Sequence, residues 1–146
     1  MHFAIIILAS VVGTILMTAF SQLLAVLTGH KFNEAHLLNA LFDNSLGSNL
    51  DISKNDIRGW SIHLLIGLIM VLGLWAFYHF DICGENLLIG AILGFFAGII
   101  GVIGWSVLFY LHNNPPKINL TYFYIQLIFA HVVFGITVFT IFRLFY

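Results

Sequence analysis

The sequence predicts an all-α integral membrane protein: four transmembrane helices in a bundle, with a short interfacial amphipathic helix between helices 1 and 2. Three observations carry this. Of the 146 residues, 61% are hydrophobic and 8% charged, whereas a soluble domain carries about a quarter charged residues. The apolar residues fall into four blocks, each long enough to cross a hydrocarbon core of about 30 Å as a helix of roughly 20 residues. Four such helices fill the chain, so residues 1–146 form a single domain.

The first span covers about 3–29 and is broken only by small or weakly polar residues. Met1-His2 carries no Lys or Arg and the apolar run exceeds a normal signal h-region, so the block reads as a retained span. Asn33 can cap a short helix over about 33–42, where Leu37, Leu38, Leu41 and Phe42 recur at helical spacing. Beside two spans, such a helix most simply lies in the plane of the interface. Residues 43–55, rich in Asn, Ser, Asp and Gly, read as a surface loop. The second span covers about 60–80, with His63 as its one ionisable interior residue. The third, about 87–111, carries no charge, and the fourth, about 121–146, holds His131 and ends near Arg143. Trp60, Tyr78, Tyr110, Tyr122 and Tyr124 fall near span ends, where amphipathic rings are favoured. Pro115-Pro116 separates the last two spans.

The net charge is −1, without a basic or acidic run. That speaks against nucleic acid as a partner and against a polybasic lipid patch. Lys31, Lys54, Arg58 and Lys117 lie in the first and third loops, against Arg143 on the other side. The positive-inside rule then places loops 30–59 and 112–120 in the cytoplasm and both termini outside. The single cysteine, Cys83, allows neither an intramolecular disulfide nor a cysteine metal site. Its neighbours Asp81 and Glu85 do not favour a reactive thiolate.

Four groups of residues could carry chemistry. Gly90, Gly94 and Gly98 recur every four residues in the third span, with Gly101 and Gly104 beyond them. Such a groove permits close backbone approach, either by a neighbouring helix of the same bundle or by another chain or flat cofactor. In the first span, Ser10, Thr14, Thr18 and Gln22 form a polar stripe; hydroxyls can return to the i−4 carbonyl, but Gln22 should face protein. His131 lies near the bilayer midplane, as a functional group or as a neutral imidazole bonded to a Thr hydroxyl or a carbonyl. Finally, His63, His112 and His36, with Glu34 or Asp43 nearby, could converge on a divalent metal, though at no recognised ligand spacing. A b-type haem between His63 and His131, or His63 and His112, is the other cofactor candidate; Gly67 and Gly135 follow the span histidines by four. No phosphate loop, HExxH or Gly-x-Ser-x-Gly elbow is present, and no Asp or Glu lies inside a span. The triplet Asn119-Leu120-Thr121 matches a glycosylation sequon against a membrane boundary, where it carries no functional reading.

Gly13-Thr14 with Met17-Thr18, Gly59-Trp60-x-x-His63, the His112 loop ahead of Pro115, and His131-x-x-Phe134-Gly135 occur in an order that resembles the uncharacterised YagU-like four-span proteins. The resemblance covers most of the chain. It implies a four-helix fold in a bacterial inner membrane, supplies no activity, and points to His63 and His131 as positions to test. The reading that follows is a non-enzymatic protein, an accessory or assembly subunit of a larger membrane complex. The rivals are a haem or metal redox protein, and an oligomeric small-solute or proton transporter around Gln22, Thr14, Thr18 and His131.

Overall fold

A computed structural model describes residues 2–45, 52–82, 84 and 86–145; Cys83, Glu85 and residues 46–51 of the first loop lie outside them. Five helices follow in order: α1 (His2–Thr28), α2 (Glu34–Ser45), α3 (Ile57–His79), α4 (Leu87–Leu111) and α5 (Leu120–Phe145). All but α2 are long and apolar enough to cross a membrane. This is an all-α integral membrane bundle. The boundaries follow local chemistry. Gly29, at φ +73°, ends α1 with its N–H on the Ala25 carbonyl at 2.9 Å. Asn33 Oδ1 caps α2 by accepting the His36 N–H at 3.0 Å. Asp56, Asn86 and Asn119 cap α3, α4 and α5 in the same way, at 3.0, 2.9 and 3.2 Å. Asn119, the sequon asparagine, therefore acts as a helix cap.

α5 is the central element. It packs along α4 on one side and α1 on the other, and α1 in turn packs on α3. No comparable face joins α3 to α4 among the described residues. These two helices bury the smallest shares of their apolar windows, 22% and 17%, against 44% and 56% for α1 and α5. The bundle is thus a ring with one open seam. At the end away from α2, Ile5, Ala9, Val71, Val138, Phe139 and Phe142 fill the interior. Tyr78 joins them, its ring 5.5 and 5.2 Å from Phe139 and Phe142, so it is a core residue and not part of the interfacial aromatic belt.

The glycine stripe of α4 lies against α5. A Cβ on Gly94 would run into the His131 carbonyl oxygen, and one on Gly98 would stand 2.8 Å from Ile128 Cα. A Cβ on Gly90 would stand 2.8 Å from the Gly135 carbonyl, and Gly135 meets Gly90 in return. The two backbones therefore approach as closely as glycine allows, which lets dispersion hold helices together where lipid supplies no hydrophobic drive. The groove is filled by the chain's own helix. It is not a free face for a partner.

α2 is the short amphipathic helix expected between the first two spans, and its apolar side is covered by protein. Leu37, Leu38 and Leu41 are buried with Trp105 and Phe109 of α4 and Phe123 and Leu127 of α5. Its opposite side is pressed on the start of α3: a Cβ on Gly59 would strike the Ala35 carbonyl and the Asn39 side chain. Asn39, with no exposure, accepts the Gly59 N–H at 2.8 Å and donates to the Lys54 and Asp56 carbonyls at 3.0 and 2.8 Å. The apolar spacing that suggests a lipid-facing stripe is satisfied by protein instead.

Because the α4–α5 contact is internal, Gly94→Leu should lower the stability of the isolated bundle by about 3 kcal/mol or more, by overpacking against backbone. Gly73→Ala, at a position with nothing within 4 Å, should be neutral or slightly stabilising. Denaturation by SDS from mixed micelles measures both. Equal stabilities of Gly94→Leu and the parent would contradict the contact.

Candidate functional site

The polar stripe of α1 enters the bundle at Ser10, Thr14 and Thr18, all buried. Gln22 does not follow them. It lies on the exposed side, where its Oε1 accepts from Asn33 Nδ2 at 3.2 Å. At about 100° per residue, three steps of four carry Gln22 roughly 120° around the helix from Ser10, while Ser21 stays within about 20°. Ser21 accordingly takes the interior position and is fully buried.

Ser21 is the middle of a polar chain that crosses three helices. Gln126 Nε2 of α5 donates to Ser21 Oγ at 2.5 Å, and Ser21 Oγ donates to Glu34 Oε1 of α2 at 2.8 Å. Glu34, the first residue of α2, is only 1% exposed. Its Oε2 and Gln126 Oε1 are buried without a hydrogen-bond partner. Burial pushes the Glu34 carboxyl from 4.5 up to about 7, although bonds from its backbone, Ser21 and Gln126 pull the other way. No Asp or Glu interrupts a span, yet α2 carries one into the bundle.

The two span histidines line the same cavity as Glu34. His63 Nε2 lies 3.0 Å from Thr18 Oγ1, whose own hydrogen goes to the Thr14 carbonyl at 2.8 Å. Nε2 must then donate, which leaves Nδ1 as a bare acceptor in the neutral ring. His131 Nδ1 lies 2.8 Å from the Leu127 carbonyl, an acceptor only, so Nδ1 donates and Nε2 is bare. That edge sits over Gly101, where a Cβ would come within 3.2 Å of Nε2. Thr14 in turn occupies the space over Gly67. Of the two partners expected for a neutral His131, a Thr hydroxyl or a carbonyl, the carbonyl is found, and Thr18 serves His63.

The cavity has a volume of about 210 Å³. Its floor is Glu34, His63 and His131; Met17, Met70, Phe134 and Trp105 make apolar walls. Ile66 on α3 with Ile100 and Leu108 on α4 form the rim, and all three are exposed to the surroundings of the bundle. The cavity therefore opens sideways through the α3–α4 seam, toward lipid.

The remaining histidines go elsewhere. His112 Nε2 bonds the Leu41 carbonyl at 2.9 Å and its Nδ1 accepts the Asn114 N–H at 3.1 Å, which staples the third loop to α2. His36 lies on a separate surface pocket, and Asp43 caps the Ile52 N–H at 3.1 Å. Among the described residues no three His, Cys, Asp or Glu side chains come together as metal ligands. The convergence of His63, His112 and His36 is thus not realised. Nor does the site fit haem: the cavity, at about 210 Å³, is smaller than the roughly 300 Å³ at which drug-sized ligands begin to be held. Comparison with family models, curated proteins and solved structures finds no match to this chain.

The raised Glu34 pKa fixes the sign of a pH effect. Between about 4.5 and 7 the folded protein holds a proton that the unfolded chain has released, so stability falls as pH rises through that window and is flat above it. Glu34→Gln removes this contribution. The stability of the variant relative to the parent should rise by on the order of 3 kcal/mol between pH 5 and pH 8. SDS titrations at the two pH values check it, and a pH-independent difference would refute the assignment.

Proposed function

We propose that this is a non-catalytic membrane protein that takes a small amphiphile from the bilayer through the α3–α4 seam and holds its polar head on Glu34, His63 and His131. One observation carries the reading: a cavity open to lipid whose floor has more acceptors than donors. His63 Nδ1, His131 Nε2 and Glu34 Oε2 all lack a donor once the internal bonds are counted. A head that donates, such as a hydroxyl or an amine, satisfies them, and the apolar walls take the adjoining hydrocarbon. An accessory subunit remains the rival on small size and the lack of a catalytic motif, although α5 fills the glycine groove, and Gln22 does not join the polar path of a transporter. Residence in a bacterial inner membrane, with the lysine-bearing loops in the cytoplasm and kinship with the YagU-like proteins, belongs to the same proposal.

Gly104 supplies the test. It lines the cavity, and a Cβ there meets nothing within 4 Å. Gly104→Leu should therefore fill the cavity without straining the bundle. Protein purified in mild detergent from its own host should carry an amphiphile near one per chain by mass spectrometry, and Gly104→Leu should lose it at an unchanged melting temperature. Recovery of equal amounts from both proteins, or of none from the parent, would overturn the reading.

A further inference from the structure

No basic run exists in the sequence, but the fold assembles a basic site from three separate segments. A surface pocket of about 380 Å³ beside the end of α1 is bounded by Gln22, Val26, His30, Lys31, His36 and Lys54, among others. A second concavity shares His30 and Lys31 and adds Lys117 from the third loop. Three of the five Lys and Arg residues of the chain thus surround one spot.

Nothing neutralises them locally. No Asp or Glu bounds either concavity among the described residues. Asp56 caps α3 and pairs with Arg58 at 3.4 Å, Asp43 holds the Ile52 N–H, and Glu34 is turned into the bundle. Partial burial and the Lys54 charge both lower the His36 pKa, so its ring is a neutral donor or acceptor there and not a fourth cation. His30 is fixed in place, stacked on Tyr122 at 4.7 Å between ring centroids and flanked by Phe32 at 5.7 Å.

We propose that this site binds the phosphate head of an anionic phospholipid. The cations lie where α1 leaves the membrane, and the outer face of α1 continues from them into the bilayer: Val26 and Leu27 are 72% and 71% exposed, and Leu23 is 57% exposed. A free phosphate would use the lysines alone. A lipid uses the lysines for its head and this apolar strip for its chains. The site is separate from the α3–α4 cavity and does not rest on the function proposed for that cavity.

The test uses the full chain in a neutral detergent, titrated with phosphatidylglycerol or phosphatidylcholine and read by native mass spectrometry. Phosphatidylglycerol should bind preferentially, and its binding should weaken with salt, since exposed charges are screened within about 10 Å at 0.1 M. Juxtamembrane lysines contribute about fivefold each, so Lys31→Gln with Lys54→Gln and Lys117→Gln should reduce binding roughly a hundredfold. All three lysines are exposed, and helix content by circular dichroism confirms the variant is folded. Arg143→Gln, at the far end of α5, should keep the preference. Equal binding of the two lipids, or an unchanged preference in the triple variant, would overturn the proposal. Displacement of phosphatidylglycerol by millimolar inorganic phosphate would overturn the lipid as the source of the head.

Discussion

Where α2 meets α3, the Ala35 carbonyl occupies the space that a side chain on Gly59 would need, and Asn39 closes the contact with three hydrogen bonds. This junction fixes a twelve-residue helix inside the end of a membrane bundle. Its leucines then meet Trp105, Phe109 and Phe123, so one end of α2 stands on α3 while its flank stands on α4 and α5. Glu34 and Leu38 of α2 line the cavity behind the α3–α4 seam.

The same seating places a carboxyl where a carboxylate is costly. Burying a charge in an apolar interior is unfavourable unless it is paired, and Glu34 has no cation beside it. Its partners are a hydroxyl and an amide, which offer too few hydrogens for the acceptors present. Two events can correct the shortage: a proton on Glu34, or a donating group brought in by a ligand. The histidines have the same character, because each spends its one N–H on the bundle. Acceptor excess is therefore a property of the whole floor and not of a single residue.

Much of this was legible in the chain. The four spans are set by length and hydropathy, and Asn33, Pro115-Pro116 and the glycine stripe mark ends and contacts by local rules that the fold obeys. The floor was less legible for two reasons. A stripe counted in fours drifts around a helix, so Ser10, Thr14 and Thr18 lead to Ser21 and not to Gln22; stricter use of 3.6 residues per turn would have found it. Glu34 was hidden because an apolar face on a short helix does not say whether lipid or protein covers it. The lysine pocket was hidden for a third reason: Lys31, Lys54 and Lys117 are neighbours only after α2 folds back and the third loop is stapled to Leu41.

Toward the end away from α2 the cavity is closed by packing. Beyond Met70 and Phe134, the bundle is filled by Val71, Leu74, Tyr78, Val138, Phe139 and Phe142. Thr14 is pressed over Gly67, and Phe134 lies over Gly13, its ring 3.0 Å from where a Cβ would stand. On that side a solute entering from the seam meets packed aromatic rings. The element between the cavity and the lysine pocket is α2, with Glu34 on one and His36 on the other. Two residues apart on a helix are about 200° apart around it. A single turn thus presents a carboxyl to the bundle cavity and an imidazole to the lysine pocket.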